Sequence, residues 1–202
     1  VNTPKNTGTK SQAQNYVVEL LDEKKYPTIV TVDADTTLEV DALELVIPHL
    51  GNPKVASVCG FVIPRKIGTL WERARFIQYL YYIWLNKGAQ NQWKVPLVSS
   101  GCFSAFNLKL LKQMGGFPDK TMAEDMDLTW RYLMKDYEIV LEPKAVCYPV
   151  DPHNYKLYRS QVQRWYRSFL QNISLHRWQL LKNKRLALFV TVYLISGLIT
   201  PF

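Results

Sequence analysis

The sequence predicts a layered α/β domain, and three observations carry that expectation. A β-branched run, Thr28 to Val32, is bounded by Pro27 and Asp33 and reads as a buried strand. A second apolar run, Val55 to Ile63, is closed by Pro64. Segments with helical spacing precede each run, and such helix–strand–helix–strand alternation lays helices onto a sheet.

Taken in order, Ser11 to Lys25 (SQAQNYVVELLDEKK) reads as a helix with Tyr16, Val17, Leu20 and Leu21 on one face. Pro27 stops it. Leu38 to Leu50 reads as a second helix, ended by Gly51-Asn52-Pro53. Leu70 to Leu85 is strongly aromatic with helical spacing. Val98 to Asn107 mixes small and aromatic residues around Gly101, as a strand does where another backbone approaches closely. Glu124 to Lys135 is expected to be a helix with acids in its first turn, and Tyr137 to Leu141 a short strand ended before Pro143. Tyr155 to Leu181 reads as one long helical segment or a broken one. Leu186 to Phe202 is 17 residues without a charge. As a helix that tail spans about 25 Å, against roughly 30 Å for a bilayer's hydrocarbon core. It reads as the start of a transmembrane helix or as a buried core helix.

A chain of 202 residues can bury one sizeable core. It begins at Val1 in a polar stretch and ends at Phe202 within an apolar run, so it reads as an internal fragment of a longer protein. The net charge of +8 is unevenly distributed: all 17 acidic residues lie before residue 152, together with 17 of the 25 Lys and Arg. The excess therefore sits in the C-terminal quarter, beside the apolar tail. That placement favours an anionic membrane surface over nucleic acid, and Lys182-Asn183-Lys184-Arg185 would put the start of the tail on the cytosolic side. The three cysteines, Cys59, Cys102 and Cys147, are far apart and odd in number. They suggest neither a zinc knuckle nor a disulfide framework, and a reduced, cytosol-facing domain is the simplest reading.

Three short motifs carry the chemistry. Asp33-Ala34-Asp35 follows the first strand. Strand periodicity puts both carboxylates on one side, where they repel unless a cation sits between them. Mg2+ or Mn2+ bridging them to a diphosphate meets that need, with Asp35 the expected direct ligand and Asp33 the second. The plainer alternative is a solvated turn capping the next helix. Glu124-Asp125-Met126-Asp127 opens a helix, where acids suit the positive end of its dipole. Its functional reading is a general base, Asp125, that takes the proton of an attacking hydroxyl, with Glu124 placing the acceptor. Gln161, Arg164 and Trp165 fall at i, i+3 and i+4, on one helix face. Arg164 can neutralise a leaving diphosphate, Trp165 offers an apolar plate for a sugar ring, and Gln161 offers neutral hydrogen bonds. The alternative is an interfacial helix anchored by Trp and Arg, the role expected of Arg159, Arg177 and Trp178. Lys10, at a helix start, reaches a phosphate or is simply solvated. Ser100-Gly101-Cys102 shapes a pocket wall, and His153 is a remote candidate for a further metal contact.

This ordered set resembles the membrane-bound inverting family-2 glycosyltransferases, which include cellulose, chitin, hyaluronan and poly-N-acetylglucosamine synthases. The resemblance runs from about Gly8 to Trp165, and Gln161-x-x-Arg164-Trp165 ahead of an apolar tail is its most specific part. It implies a GT-A fold, a nucleotide-diphospho-sugar donor and a divalent metal. It implies donor or acceptor contacts for Lys10, Asp33, Gly101, Glu124, Gln161, Arg164 and Trp165, metal binding by Asp35 with Asp33, and Asp125 as the base. The family's first nucleotide-binding strands are expected to precede Val1. The implied organisation is a partial catalytic domain over 1–150, basic interfacial helices over 151–185 and the start of a membrane span over 186–202. The expected activity is transfer from UDP-N-acetylglucosamine or UDP-glucose to a growing β-linked polysaccharide. A single sugar addition to a lipid acceptor and a catalytically silent membrane-associated domain are the competing readings.

Overall fold

The structure is a computed structural model that describes residues 8–199. Among the described residues five strands form one mixed sheet: β1 (Thr28–Val32), β2 (Thr37–Leu38), β3 (Val55–Val62), β4 (Phe103–Asn107) and β5 (Glu138–Tyr148). Their spatial order is β1-β4-β3-β5-β2. β4 pairs antiparallel with both β1 and β3, β3 and β5 run parallel, and β2 closes the far edge antiparallel to β5. The central strand β3 is buried along nearly its whole length, as a strand covered on both faces must be.

Helices cover both faces. On one side α2 (Ala42–Val46) and the 3-10 turn Ile47–Gly51 pack Ala42, Val46 and Leu50 onto Val58, Phe103 and Val140. On the other side lie α1 (Lys10–Leu20), α5 (Leu108–Gln113), α6 (Glu124–Met134), α7 (Tyr155–Lys182) and α8 (Lys184–Ile199). They share a core with Phe106 and Ile139, to which α7 and α8 add Phe169, Leu180, Leu186 and Val190. α6 is the hub of this layer. Trp130 is fully buried and its indole N–H donates to Leu97 O at 3.1 Å. Asp127, also 0 % exposed, accepts a forked pair from Arg131 at 2.7 and 3.0 Å and lies 2.7 Å from His176 Nε2, which ties α6 to α7. Burial pushes the Asp127 carboxyl up, but the His176 and Arg131 hydrogen bonds outweigh it and hold it below the usual carboxylate range.

The elements depart from the sequence expectations in instructive ways. α1 ends at Leu20, not Lys25, and buries Ser11 and Val18 while Leu20 is exposed. Its docking is set by a polar bracket: Asn15 Oδ1 accepts from Phe117 N at 2.7 Å and Asn15 Nδ2 donates to Phe117 O at 2.8 Å. The second helix starts at Ala42 rather than Leu38, because Thr37 and Leu38 pair with Tyr148 and Cys147. The strand around Gly101 shrinks to Phe103–Asn107. β5 runs past Pro143 instead of stopping before it. Pairing jumps from Gly60↔Glu142 to Phe61↔Val146, so the residue without an N–H sits in a bulge and the ladder resumes beyond it. The aromatic helix, α3 (Leu70–Tyr79), is capped by a reciprocal Thr69–Glu72 box. It continues through π-helical turns, Leu80–Lys87, into α4 (Gly88–Gln92), well beyond Leu85. α7 is one unbroken helix of 28 residues. In the apolar tail, α8 turns Leu186 and Val190 into the core and leaves Leu188, Val192 and Ile195 exposed. Among the described residues no helix is long and apolar enough to cross a membrane; residues 200–202 of that tail lie outside the described residues.

Candidate active site

The carboxyl end of β1, the turn before β4, the N-terminus of α6 and one face of α7 surround a cavity of about 600 Å³. Lys10, Asp33, Asp35, Gly101, Glu124, Asp125, Gln161, Arg164 and Trp165 all line it. The structure thus brings every residue singled out in the three motifs to one place, together with Lys10 and Gly101. His153 does not line it.

Asp33 and Asp35 reach the cavity by a route other than strand alternation. The strand stops at Val32, and Thr36 N donates to Asp33 O at 2.9 Å, so the pair sits in a hydrogen-bonded turn. Asp33 N donates to Cys102 O at 3.1 Å, which seats this turn against the Gly101 loop. The Asp33 carboxylate accepts from the Lys10 ammonium. Asp35 is exposed, its carboxylate takes Thr36 Oγ1 at 3.3 Å, and its backbone O takes an Arg65 N–H at 2.5 Å. The two carboxylates line the cavity and are the kind of oxygen donor a hard divalent cation takes. Among the described residues no group of three or more His, Cys, Asp or Glu is arranged to hold a metal. The protein's share would therefore be these two carboxylates, and phosphate oxygens and water would complete the shell.

Lys10 draws the two acidic motifs together. Its Nζ also donates to Gly101 O at 3.1 Å and lies 3.7 Å from Glu124 Oε1. Burial works against its charge, but Asp33 first, then Glu124 and Asp125, raise its pKa above the ordinary lysine value. Asp125 rests on two backbone donors: Gly101 N to Oδ2 and Met126 N to Oδ1, each 2.8 Å. Burial raises its pKa, and those N–H groups, Lys10 and Lys87 pull the other way. Burial, then the charge of Asp125, raises Glu124 as well. A carboxylate so held, half-buried beside a cavity, suits proton abstraction. No side chain caps α6, whose N-cap is Ala123, so Glu124 and Asp125 are the anions nearest its dipole.

Sequence reasoning missed three charged residues here. Lys87, on the π-helical turns, is 8 % exposed, lines the cavity and donates to Ser100 Oγ at 2.7 Å. Asp151 is buried at the cavity wall, takes the Tyr79 hydroxyl at 2.9 Å and pairs with Arg75 at 3.4 Å. Arg75 is 0 % exposed. The available signal was weak: Arg75 is a charge inside an aromatic helical run and Lys87 lies just past it, while Asp151, in the loop before α7, had none. Cys102 lines the cavity with its Sγ 3.9 Å from that of Cys147; all three cysteines are free.

The family described as glycosyl transferase family group 2 matches residues 28–201. The chain belongs to that family. Among curated relatives of this glycosyltransferase chain is a poly-beta-1,6-N-acetyl-D-glucosamine synthase of Staphylococcus epidermidis. It is 27% identical over 180 residues, 89% of this chain and 44% of the relative. A probable glycosyltransferase, YdaM, of Bacillus subtilis is 29% identical over 147 residues, 72% of this chain and 35% of the relative. The chain thus spans less than half the length of these relatives. Among solved structures, a mannosyltransferase, PcManGT from Pyrobaculum calidifontis in complex with GDP-Man and Mn2+, superposes with a TM-score of 0.63 at 18% identity. That match covers 99% of this chain and 57% of the mannosyltransferase. At that identity it establishes the shared glycosyltransferase fold, a mixed α/β architecture of the GT-A type.

Proposed function

We propose that this family-2 glycosyltransferase chain carries the transfer site of an inverting enzyme. It moves a sugar from a UDP-sugar, UDP-N-acetylglucosamine ahead of UDP-glucose, to a growing β-linked polysaccharide at the cytosolic face of a membrane. The observation that carries the reading is the convergence of the acidic turn, the α6 carboxylates and the α7 face on one cavity. The name of the S. epidermidis relative supports N-acetylglucosamine, and the GDP-Man and Mn2+ of the mannosyltransferase support a metal-assisted nucleotide-sugar donor.

The shared cavity supports the following roles. Asp35, with Asp33, would hold Mg2+ or Mn2+, which supplies positive charge to the donor diphosphate. Lys10, beside Asp33, and Arg164, on the same cavity's lining, add positive charge. The acceptor hydroxyl attacks the anomeric carbon opposite the diphosphate. Its O–C1 bond forms as the C1–O bond to phosphate breaks, and its proton passes to Asp125. One displacement turns an α-linked donor into a β-linked product and releases UDP. Glu124 and Gln161 orient hydroxyls, Trp165 backs a sugar ring, and Gly101 lets the Asp125 carboxylate lie against the turn. The membrane placement is supported by the acid-free, basic stretch after Asp151 and by exposed Leu170, Trp178, Leu181 and Leu188 on α7 and α8.

The test uses the full-length parent in membranes with Mn2+ or Mg2+. UDP release is followed across a panel of UDP-sugars beside Asp125→Asn, and the product is sized. Release from one donor, abolished by chelation or by Asp125→Asn, with long polymer formed, is the expected result. A product one sugar longer would replace the polymer reading with transfer to a lipid acceptor. No metal-dependent release from any UDP-sugar would overturn the proposal.

A further inference from the structure

Arg75 lies behind the cavity wall. Its guanidinium donates to Gln161 Oε1 at 2.5 Å and to Gln78 Oε1. Its Nε lies 3.4 Å from Asp151 Oδ1. Its Cζ sits 4.6 Å from the ring centroids of both Tyr158 and Trp165, and 5.7 Å from that of Tyr79. Arg75 does not line the cavity, yet Gln78, Tyr79, Asp151, Gln161 and Trp165 all do. A fully buried guanidinium is a costly way to fill a core, since apolar side chains of similar volume usually serve stability as well or better. What it contributes here is direction. Arginine has donors and no acceptor, so the Gln161 oxygen must face Arg75, and the amide N–H₂ is the end left for the cavity. The same guanidinium covers the Trp165 ring, whose indole is thereby held on the wall beside Gln161.

We propose that Arg75 is a positioning residue for sugar transfer: it sets Gln161 as a hydrogen-bond donor to ligand oxygens in the cavity and holds Trp165 next to it. The ligand chemistry is an acceptor oxygen, from a sugar hydroxyl or a phosphate. Asp151 completes the device by binding Arg75 and Tyr79 together, which ties α3 to the segment that enters α7. The inference rests on the reading of this cavity as the transfer site.

The test uses the full-length enzyme in membranes, with UDP-N-acetylglucosamine as donor probe and UDP alone as phosphate probe. The variants are Arg75→Lys, Gln161→Glu and the double variant Arg75→Gln/Asp151→Asn. The double variant removes both buried charges at once, so that neither is left unpaired. Thermal melts report folding. Gln161→Glu keeps an oxygen for Arg75 but offers the cavity no donor. It is expected to melt like the wild type and to lose at least tenfold in kcat/KM. A rise in KM with unchanged UDP affinity assigns the ligand oxygen to a sugar hydroxyl, and weakened UDP affinity assigns it to phosphate. Arg75→Lys, which keeps the charge but not the fork, is expected to lose similarly and not to rescue. Folded Gln161→Glu or Arg75→Lys enzyme with wild-type kcat and KM would overturn the inference. So would a double variant whose loss only tracks its folded fraction. A wild type that releases UDP from no UDP-sugar of the panel would overturn the site reading itself, a result separable from failure of the variants alone.

Discussion

A methyl group at Gly101 would be built against the Asp125 carboxylate. The nearest atom to a Cβ there is Asp125 Oδ2 at 2.9 Å, then Asp125 Cγ at 3.5 Å and Lys10 Nζ at 3.6 Å. Ordinary contact begins near 3.4 Å, so the carboxylate must retreat by 3.4 − 2.9, about 0.5 Å. That movement disturbs the 2.8 Å hydrogen bond from Gly101 N and shifts the candidate base relative to a bound hydroxyl. Since a misplacement of about 1 Å can cost roughly 100-fold, Gly101→Ala should lower kcat about tenfold to 100-fold. Stability should suffer far less. The displaced atoms end a side chain, Gly101 is not among the glycines with positive φ, and Ala restricts the unfolded chain by about 0.4–1 kcal/mol. Against a weakened bond to a charged group worth about 1.5–3 kcal/mol, the net loss is about 1–2 kcal/mol, a few degrees of Tm for a domain of this size. UDP release per folded enzyme and a thermal melt measure the two effects separately. A Gly101→Ala enzyme with full kcat would refute the assignment of Asp125, and a collapsed melt would refute the claim that the backbone tolerates the methyl.

Further outcomes follow from the same contacts. Because burial raises Asp125 and catalysis needs it ionised, activity should fall as pH drops through a value above the ordinary carboxylate pKa of about 3.9; a pH–rate profile still flat at pH 4 would contradict this. Asp127→Asn strips the buried carboxylate from Arg131 and His176 and should cost about 3 kcal/mol in a denaturant titration at pH 7. Because the folded pKa of Asp127 is depressed, its contribution is present above the unfolded pKa of about 3.9 and disappears as pH falls through the lower folded value; the variant should therefore converge on the wild type as pH falls below that folded value. Gly60→Ala would put a methyl 2.4 Å from both Ala145 O and the Phe103 ring, where backbone and a core ring cannot yield cheaply. A loss of about 2–3 kcal/mol is expected, and a wild-type melt would show that the β5 bulge lies elsewhere.

Much of the candidate site is legible in the sequence because it follows local rules. Thr28–Val32 is a strand whose ends are marked by Pro27 and Asp33, and the i, i+3, i+4 spacing of Gln161, Arg164 and Trp165 puts one α7 face on the cavity. The Asp33–Thr36 turn is not legible: strand alternation carried past Val32 puts both carboxylates on one side, and nothing in the triplet signals the Thr36 N to Asp33 O hydrogen bond that turns the chain there. The sequence ends β5 before Pro143, because a bulge is stabilised by its partner strand and not by its own residues.

The chain by itself therefore determined most of the long elements' types, the order of the motifs and which side chains a helix turns the same way, since these depend on neighbours a few residues apart; the short β2, which exists only by pairing with β5, and α5 were not among them. Only the tertiary structure decided the β1-β4-β3-β5-β2 order and the burial of Arg75, Lys87 and Asp151. In sequence a charged residue reads as solvated. It is the meeting of α3, the segment before α7 and α7 itself that supplies the rings, amides and carboxylate which make a buried guanidinium tolerable.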